Sequence, residues 1–98
     1  MAKGYWIARV DVKNEDSYKI YAANNPAIFE KFGGRFIVRS GTFECREGSA
    51  RARNVVIEFP DFATARACYD SPEYQENVKN RLGAADIDLL IVEGYDGP

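Results

Sequence analysis

The sequence contains no histidine, and this absence removes several classes of active site. Ser-His-Asp triads, Cys-His dyads and histidine-ligated zinc all need an imidazole, as does the usual proton shuttle at neutral pH. Cysteine is scarce as well, because Cys45 and Cys68 are the only two in 98 residues. Two cysteines cannot build a disulfide-rich scaffold or complete a four-ligand zinc site, so we expect both to be small, reduced core residues.

Long apolar runs and an excess of positive charge are also missing. No stretch approaches the roughly 20 residues of a membrane span, and no signal-peptide pattern follows the first residues. The 13 lysines and arginines against 15 acidic residues give a net charge of −2, whereas a general polyanion binder is far more basic. These absences predict a cytoplasmic protein that binds neither membranes nor nucleic acid.

What is present is the composition of one globular domain, which we expect to cover residues 1–98. Hydrophobic residues make up 46% and charged residues 29% of the chain, as in ordinary soluble proteins. Apolar and β-branched runs predict strands, and Gly41 would allow the second of them to bend and continue to Cys45. The predicted strands are residues 5–12, 35–40, 53–59 and 87–92.

Helical spacing of apolar residues places helices between these strands. The first begins at Asn14 or Asp16 and carries Tyr18, Tyr21, Ala22 and Asn25 on one face. Pro26 is expected to interrupt it, so that Asn25 caps a second segment with Pro26 at its first position, ending at Gly33-Gly34. Further helices are predicted at residues 62–70 and 72–82, the latter with an apolar stripe of Tyr74, Val78 and Leu82.

The predicted order is β-α-β-β-α-β, which is typical of ferredoxin-like folds. This topology gives an α+β domain with one antiparallel sheet in the order 4-1-3-2. Its helices all lie on one face of that sheet. The chain contains no internal linker, short-period repeat or low-complexity segment that would suggest a second unit.

The central strands nevertheless carry apolar side chains on both faces. In the first strand Tyr5 and Ile7 alternate with Trp6 and Val10, and the fourth strand alternates in the same way. An uncovered apolar sheet face exceeds what monomers usually expose, and burial of ~600 Å² would contribute about 15 kcal/mol before association costs. We therefore expect a symmetric homodimer packed sheet to sheet; the alternative is a monomer that tolerates the exposed face.

Five motifs follow one another over nearly the whole chain: Lys3-Gly4-Tyr5-Trp6-Ile7, Gly33-Gly34-Arg35-Phe36, Val38-Arg39, Val55-Val56-Ile57-Glu58-Phe59-Pro60 and Tyr69-Asp70-Ser71-Pro72-Glu73-Tyr74-Gln75. Together they resemble the domain of unknown function 1330 family. The resemblance implies a bacterial, ferredoxin-like, dimeric α/β-barrel protein without an assigned reaction. Related families include cofactor-free monooxygenases, haem-linked enzymes and small-molecule isomerases, whose sites commonly lie between sheet and helices. The missing histidine counts against haem, and we expect no cofactor.

Charged residues within strands are the first candidates for a site. Arg39 follows an apolar run, and Glu58 lies between Ile57 and Phe59. One interpretation is structural, with Arg9, Arg39 and Glu58 paired across strands. The other is functional: Arg39 anchors a small anionic ligand through its planar guanidinium, and Glu58 is a candidate catalytic base if burial raises its pKa.

Tyrosines are the second class of candidate, because each combines an apolar ring with a hydroxyl suited to a ligand cleft. We select Tyr18 on the first helix and Tyr69 and Tyr74, which flank the break at Ser71-Pro72. Arg81 follows Tyr74 by seven residues, about two helical turns, and so shares its face. For each tyrosine a core role is the alternative, and for Arg81 the alternative is a solvated side chain.

Three functions remain open from the sequence. The first, slightly favoured, is a small-molecule-binding protein or cofactor-independent enzyme with a cleft between sheet and helices. The second is a non-enzymatic homodimeric structural or interaction module. The third, an RNA-recognition module, needs stacking aromatics on the third strand, but Val55, Val56 and Ile57 supply aliphatic side chains. The fold alone does not choose among these chemistries.

Overall fold

The computed structural model describes residues 2–98. Its strands and helices, in chain order, are β1 Gly4–Val12, α1 Glu15–Lys31, β2 Arg35–Arg39, β3 Arg53–Phe59, α2 Phe62–Asp70, α3 Pro72–Val78 and β4 Ala85–Glu93. The four strands form one antiparallel sheet in the order β2-β3-β1-β4. This is the predicted order read from the opposite edge, so the ferredoxin-like α+β fold is confirmed.

The helix starts follow from capping residues that the sequence identifies. The side chains of Asn14, Asp61 and Ser71 each accept a hydrogen bond from a backbone N–H three residues later, at 3.2, 2.7 and 3.2 Å. Each of these bonds satisfies an N–H group that lacks an intrahelical partner. Pro72 occupies the first turn of α3, where its missing N–H costs nothing.

The first helix differs from its prediction, because α1 runs through Pro26 without a break. An internal proline costs a helix about 3 kcal/mol. Here Tyr21 and Asn25 before it and Phe29 after it are all buried on one face of a single helix. Packing of that continuous face outweighs the local cost, and Asn25 lies inside the helix rather than at a cap.

The core lies between the helices and one face of the sheet, and Trp6 stands at its centre. The Trp6 ring packs against Phe29 and Tyr74 with centroids 5.0 and 4.9 Å apart in edge-to-face geometry. Its indole Nε1 donates to the carbonyl oxygen of Ala65 at 2.8 Å. This bond joins β1 to α2 and satisfies the one polar atom of an otherwise apolar side chain.

The other face of the sheet, which we call the open face, carries no helix. The Cα atoms extend 40 × 37 Å but only 16 Å along the shortest axis, which suits one sheet and one helical layer. The prediction of apolar residues on both faces is confirmed, since Leu90 is 52% exposed on this side. The apolar residues that the ladder places on the open face are Ile7, Val38, Val56, Leu90 and Val92.

Two predictions around the β2–β3 connection are wrong. The strand ends at Arg39 and does not continue to Cys45, because Ser40 adopts a left-handed backbone conformation with φ 55° that interrupts the extended path. Cys45 lies in the following irregular segment and is exposed, so it is not a core residue. Cys68 is fully buried on α2, as expected.

The end of the last helical region also differs. Regular α-helix stops at Val78, and the chain continues through turns to β4. Leu82, predicted as part of an apolar stripe, is 67% exposed, whereas Arg81 is 9% exposed. The shift from α-helix to turns rotates Arg81 inwards in place of Leu82, and the interpretation of Arg81 as solvated is therefore wrong.

Candidate functional site

A cavity of about 190 Å³ lies between α1 and the helix-covered face of the sheet. Its walls are largely apolar and include Trp6, Phe29, Phe36, Ile57 and Leu89. Six side chains with polar groups also line it: Tyr18, Tyr21, Asn25, Arg39, Ser40 and Arg53. An apolar chamber with a few placed polar groups is the usual form of a small-molecule site, and its position is the cleft expected from the sequence.

Arg39 reaches this cavity because the ladder between β2 and β3 contains a bulge. Phe36 pairs with Ile57, while Arg39 pairs with Val55, so three steps along β2 match two along β3. Strict alternation would place Arg39 and Phe36 on opposite faces of the sheet. The extra residue, Ile37, turns Arg39 to the face of Phe36, which is how bulges redirect a side chain.

The guanidinium of Arg39 is held by an aromatic ring rather than by an acid. Its central carbon lies 4.3 Å from the centroid of the Phe36 ring, close enough for a cation–π contact. Arg35 and Arg51, by contrast, form ion pairs with carboxylates at 3.1 and 2.9 Å. Within residues 2–98 no carboxylate pairs with Arg39. Its guanidinium N–H groups are therefore held in place by Phe36 and have no acidic partner.

Arg53 and Tyr18 form a second polar part of the cavity wall. The Arg53 guanidinium lies 5.4 Å from the Tyr18 ring centroid and forms a 2.8 Å ion pair with Glu15. Burial raises the pKa of the Tyr18 hydroxyl, so the group stays protonated at neutral pH. Of the two arginines that line the cavity, one is neutralised by Glu15, and a net positive charge remains.

Asn25 is the functional candidate that sequence reasoning missed. Its side chain is 8% exposed and lines the cavity. Asn77 on α3 donates from Nδ2 to the Tyr21 carbonyl oxygen at 3.1 Å and to Asn25 Oδ1 at 2.9 Å. The sequence did place Asn25 on the same helical face as Tyr18, but Pro26 favoured its interpretation as a cap.

The remaining predicted ligand contacts lie behind the cavity wall. Tyr74 is fully buried, and its hydroxyl shares a hydrogen bond with the hydroxyl of Tyr21, a cavity residue. The Arg81 guanidinium lies 5.3 Å from the Tyr21 ring centroid. Tyr69 packs on Trp6 and Tyr74 at 5.7 and 5.3 Å between centroids. These three residues support the wall, and only Arg39 and Tyr18 of the predicted set line the cavity.

Glu58 is separated from Arg39 by the sheet itself. Glu58 pairs with Tyr5 and Arg35 on the open face, where its carboxylate oxygens meet the Tyr5 hydroxyl at 3.4 Å and Arg35 Nε at 3.1 Å. Arg9 is also on the open face, opposite Asn54 and Asp88. The structural network of Arg9, Arg39 and Glu58 is therefore not formed, because the bulge turns Arg39 to the other side.

In residues 2–98, no three His, Cys, Asp or Glu side chains are grouped so that they could hold a metal ion. Over the same range, no helix combines the length and hydropathy that crossing a bilayer requires.

Comparison with protein families gives one match, which covers residues 3–95. The matching model is described as Domain of unknown function (DUF1330). A search of curated proteins finds no match.

Several solved structures share this fold. A protein of unknown function from Rhodopseudomonas palustris, RPA0582, is 19% identical, with 98% of this chain and 85% of that chain covered and a TM-score of 0.75. SnoaB, a cofactor-independent oxygenase from Streptomyces nogalater, is 12% identical over 99% and 97% of the two chains, with a TM-score of 0.65. HapK from Hahella chejuensis is 16% identical over 97% and 95%, with a TM-score of 0.62. At these identities the similarity shows the fold alone.

Proposed function

The chain belongs to the DUF1330 family, and from that premise we propose that it binds a small anionic organic molecule in the cavity between α1 and the sheet. Arg39 anchors the anion, and Tyr18 contacts the ligand from the helix. The protein acts as a binding protein or as an enzyme that needs no cofactor. The description of the structurally similar SnoaB as a cofactor-independent oxygenase supports the enzymatic form of this proposal.

The placement of Arg39 is the observation that carries the proposal. A bulge in an edge strand turns this side chain to the cavity, and the Phe36 ring holds its guanidinium 4.3 Å away. An arginine fork binds a carboxylate through two parallel, charge-assisted hydrogen bonds. Neither the bulge nor the stacking is needed to protect an edge strand, for which a solvated arginine is enough.

A pair of arginine variants tests the proposal. Arg39→Ala removes the cavity guanidinium, whereas Arg35→Ala removes a neighbouring arginine of the same strand that pairs with Glu58 on the open face. Calorimetric titration with benzoate at pH 7 is expected to show binding that Arg39→Ala weakens at least tenfold, because a charge-assisted hydrogen bond is lost. Arg35→Ala is expected to change it less than twofold. Equal effects of the two variants would refute a role for Arg39.

We also propose that two copies pack through their open faces to form a homodimer. The cluster of Ile7, Val38, Val56, Leu90 and Val92 supports this, since Leu90 alone leaves 52% of its surface exposed. Charges at one end of this face are already paired, because Arg51 bridges Asp11 and Asp88 at 2.9 and 2.8 Å. Those paired groups, like the Arg35–Glu58 ion pair on the same face, add little repulsion to the contact.

Two exposed leucines provide the test of the dimer. Leu90 lies on the open face, and Leu82 is 67% exposed in the turns before β4. In sedimentation velocity at about 10 µM, the wild-type chain and Leu82→Asp should both sediment as dimers. Leu90→Asp should sediment as one 11.0 kDa chain, because each copy would bring an unpaired carboxylate into the apolar contact. A monomeric wild-type chain would contradict the proposal.

The second candidate function is a non-enzymatic dimeric interaction module, which the same apolar open face favours. The two candidate functions differ in what they require of the cavity. An interaction module does not require a cavity arginine, Arg39, whose guanidinium has no acidic partner. A bacterial, cytoplasmic setting is part of both proposals. The absence of any benzoate-type ligand, together with an intact dimer, would favour the module.

A further inference from the structure

The orientation of the Asn25 amide is fixed by groups on another helix. Asn77 Nδ2 is identified as the donor because it meets the backbone carbonyl oxygen of Tyr21, which can only accept. The same nitrogen therefore donates to Asn25, and the Asn25 atom at 2.9 Å must be its oxygen. Asn77 Oδ1 accepts from Asn24 and Asn80, both at 3.0 Å, which agrees with this assignment.

In this orientation the Asn25 amide nitrogen makes no hydrogen bond within residues 2–98. Its Oδ1 is occupied by Asn77, and among residues 2–98 no acceptor is bonded to Nδ2. The side chain is more than nine-tenths buried and lines the cavity. A ligand that supplies an acceptor in the cavity therefore gains a hydrogen bond that no group of residues 2–98 makes with this nitrogen.

The size of the cavity limits the ligand to about one ring. An apolar cavity of about 150 Å³ accepts benzene, and the cavity beneath α1 measures about 190 Å³. The rings of Trp6, Phe29 and Phe36 supply aromatic surface for the edges and faces of such a ring. There is room for one aromatic ring with two small substituents.

We propose that the ligand is a monocyclic aromatic carboxylate with a second oxygen substituent. Asn25 recognises that second oxygen through a hydrogen bond. This inference rests on the proposed function, in which Arg39 takes the carboxylate. Asn25 Nδ2 donates to the second oxygen and determines specificity for it. Asn77 is a positioning residue, because it holds the amide in the donating orientation.

The experiment compares ligands of equal shape with and without the second oxygen. The probes are the three hydroxybenzoates, each paired with the methylbenzoate of the same ring position, and affinities are measured by calorimetry at pH 7. Wild-type protein is expected to bind at least one hydroxybenzoate about tenfold more tightly than its methyl partner. A buried hydrogen bond to a donor that is otherwise unsatisfied accounts for a factor of this size.

Asn25→Asp is the informative variant, because it keeps an oxygen for Asn77 and replaces only the cavity-facing donor by an acceptor. The ratio of hydroxyl to methyl affinity should fall to about one or below. Asn14→Asp introduces the same charge at the N-cap of α1, where a carboxylate caps equally well, and should leave the ratio unchanged. A ratio that survives in Asn25→Asp would overturn the inference.

The outcomes separate this inference from the proposed function. If benzoate binds through Arg39 but hydroxyl and methyl partners bind wild-type protein equally, the Asn25 inference fails and the proposed function stands. If no probe binds at all, both fail. Should Asn25→Asp not fold, the side-chain amide resonances of Asn25 in wild-type protein give the answer. They should shift with the preferred hydroxybenzoate and not with its methyl partner, and equal shifts would refute the inference.

Discussion

Arg39 lies directly opposite Val55 on the helix-covered face of the sheet, although Phe36, three residues earlier, lies on that same face opposite Ile57. In a regular strand, two residues that are three positions apart point to opposite faces of the sheet. The bulge at Ile37 explains why Phe36 and Arg39 share one face. The position of the proposed anion anchor is therefore a property of strand register.

Deletion of Ile37 tests this relationship. The shortened strand should pair regularly with Arg39 two residues after Phe36, which keeps Arg39 on the helix-covered face and preserves benzoate binding. The edge position and exposure of β2 should let the domain fold, which circular dichroism melting will show. Deletion of both Ile37 and Val38 places Arg39 next to Phe36, so it should turn Arg39 to the open face and weaken binding as much as Arg39→Ala does. Loss of binding after deletion of Ile37 alone, in a folded protein, would mean that Ile37 is not the extra residue of the bulge.

The Cys68 thiol should make the protein less stable in alkali. Burial raises its pKa from the ordinary 9.0 to about 12. Below pH 9 the thiol is protonated in both states, but between these values the unfolded chain loses the proton and the folded chain keeps it. The free energy of unfolding should then fall with rising pH, by at most about 1.4 kcal/mol per pH unit for one group.

Urea unfolding from pH 8 to 10.5 measures this effect. Cys68→Ala should lessen the decrease, and Cys45→Ala, which removes the exposed thiol, should not alter it. Burial also raises the pKa of Tyr74, so part of the decrease will remain in Cys68→Ala. Parallel curves for wild-type protein and Cys68→Ala would argue against a buried, protonated thiol.

Asn77 should contribute to stability as well as to the cavity. It is 4% exposed and joins α3 to α1 through hydrogen bonds to Tyr21, Asn24 and Asn25. Asn77→Ala removes the two buried hydrogen bonds to the Tyr21 carbonyl oxygen and to Asn25 Oδ1, and should lower the free energy of unfolding by about 2–3 kcal/mol. Asn24→Ala breaks a single bond of an exposed residue and should cost about 0.5 kcal/mol. Urea unfolding measures the free energy of unfolding of both variants. Similar losses of stability in the two would show that the Asn77 network contributes little.

Gly4 should not tolerate a side chain. A Cβ atom at this position would lie 2.4 Å from the carbonyl oxygen of Asp61, at the start of α2. Gly4→Ala must separate β1 from α2 and should lower the free energy of unfolding by about 2 kcal/mol or more. Gly41→Ala has no atom within 4 Å of the new Cβ and should change it by less than about 0.5 kcal/mol. Equal stability of the two variants, measured by thermal and urea unfolding, would contradict this packing.

Much of the site lay within reach of the sequence. An arginine after an apolar strand and a tyrosine on the apolar face of a helix pointed to Arg39 and Tyr18, and both line the cavity. The sequence also places Asn25 on that helical face, but the preference of proline for the first turn of a helix favours a cap at this position. The sequence pattern groups Glu58 with Arg39, because alternation alone contains no information on a bulge in the neighbouring strand.

The amino-acid sequence by itself determined the strands, the helix caps and the ferredoxin-like order, because these depend on alternation, spacing and capping within a few residues. Tertiary structure alone decided that α1 continues through Pro26, that Arg81 turns inwards and that Asn25 presents its nitrogen to the cavity. Each of these depends on contacts between residues far apart in the chain. The amide of Asn25 takes its orientation from Asn77, 52 residues away, and only the folded packing brings the two together.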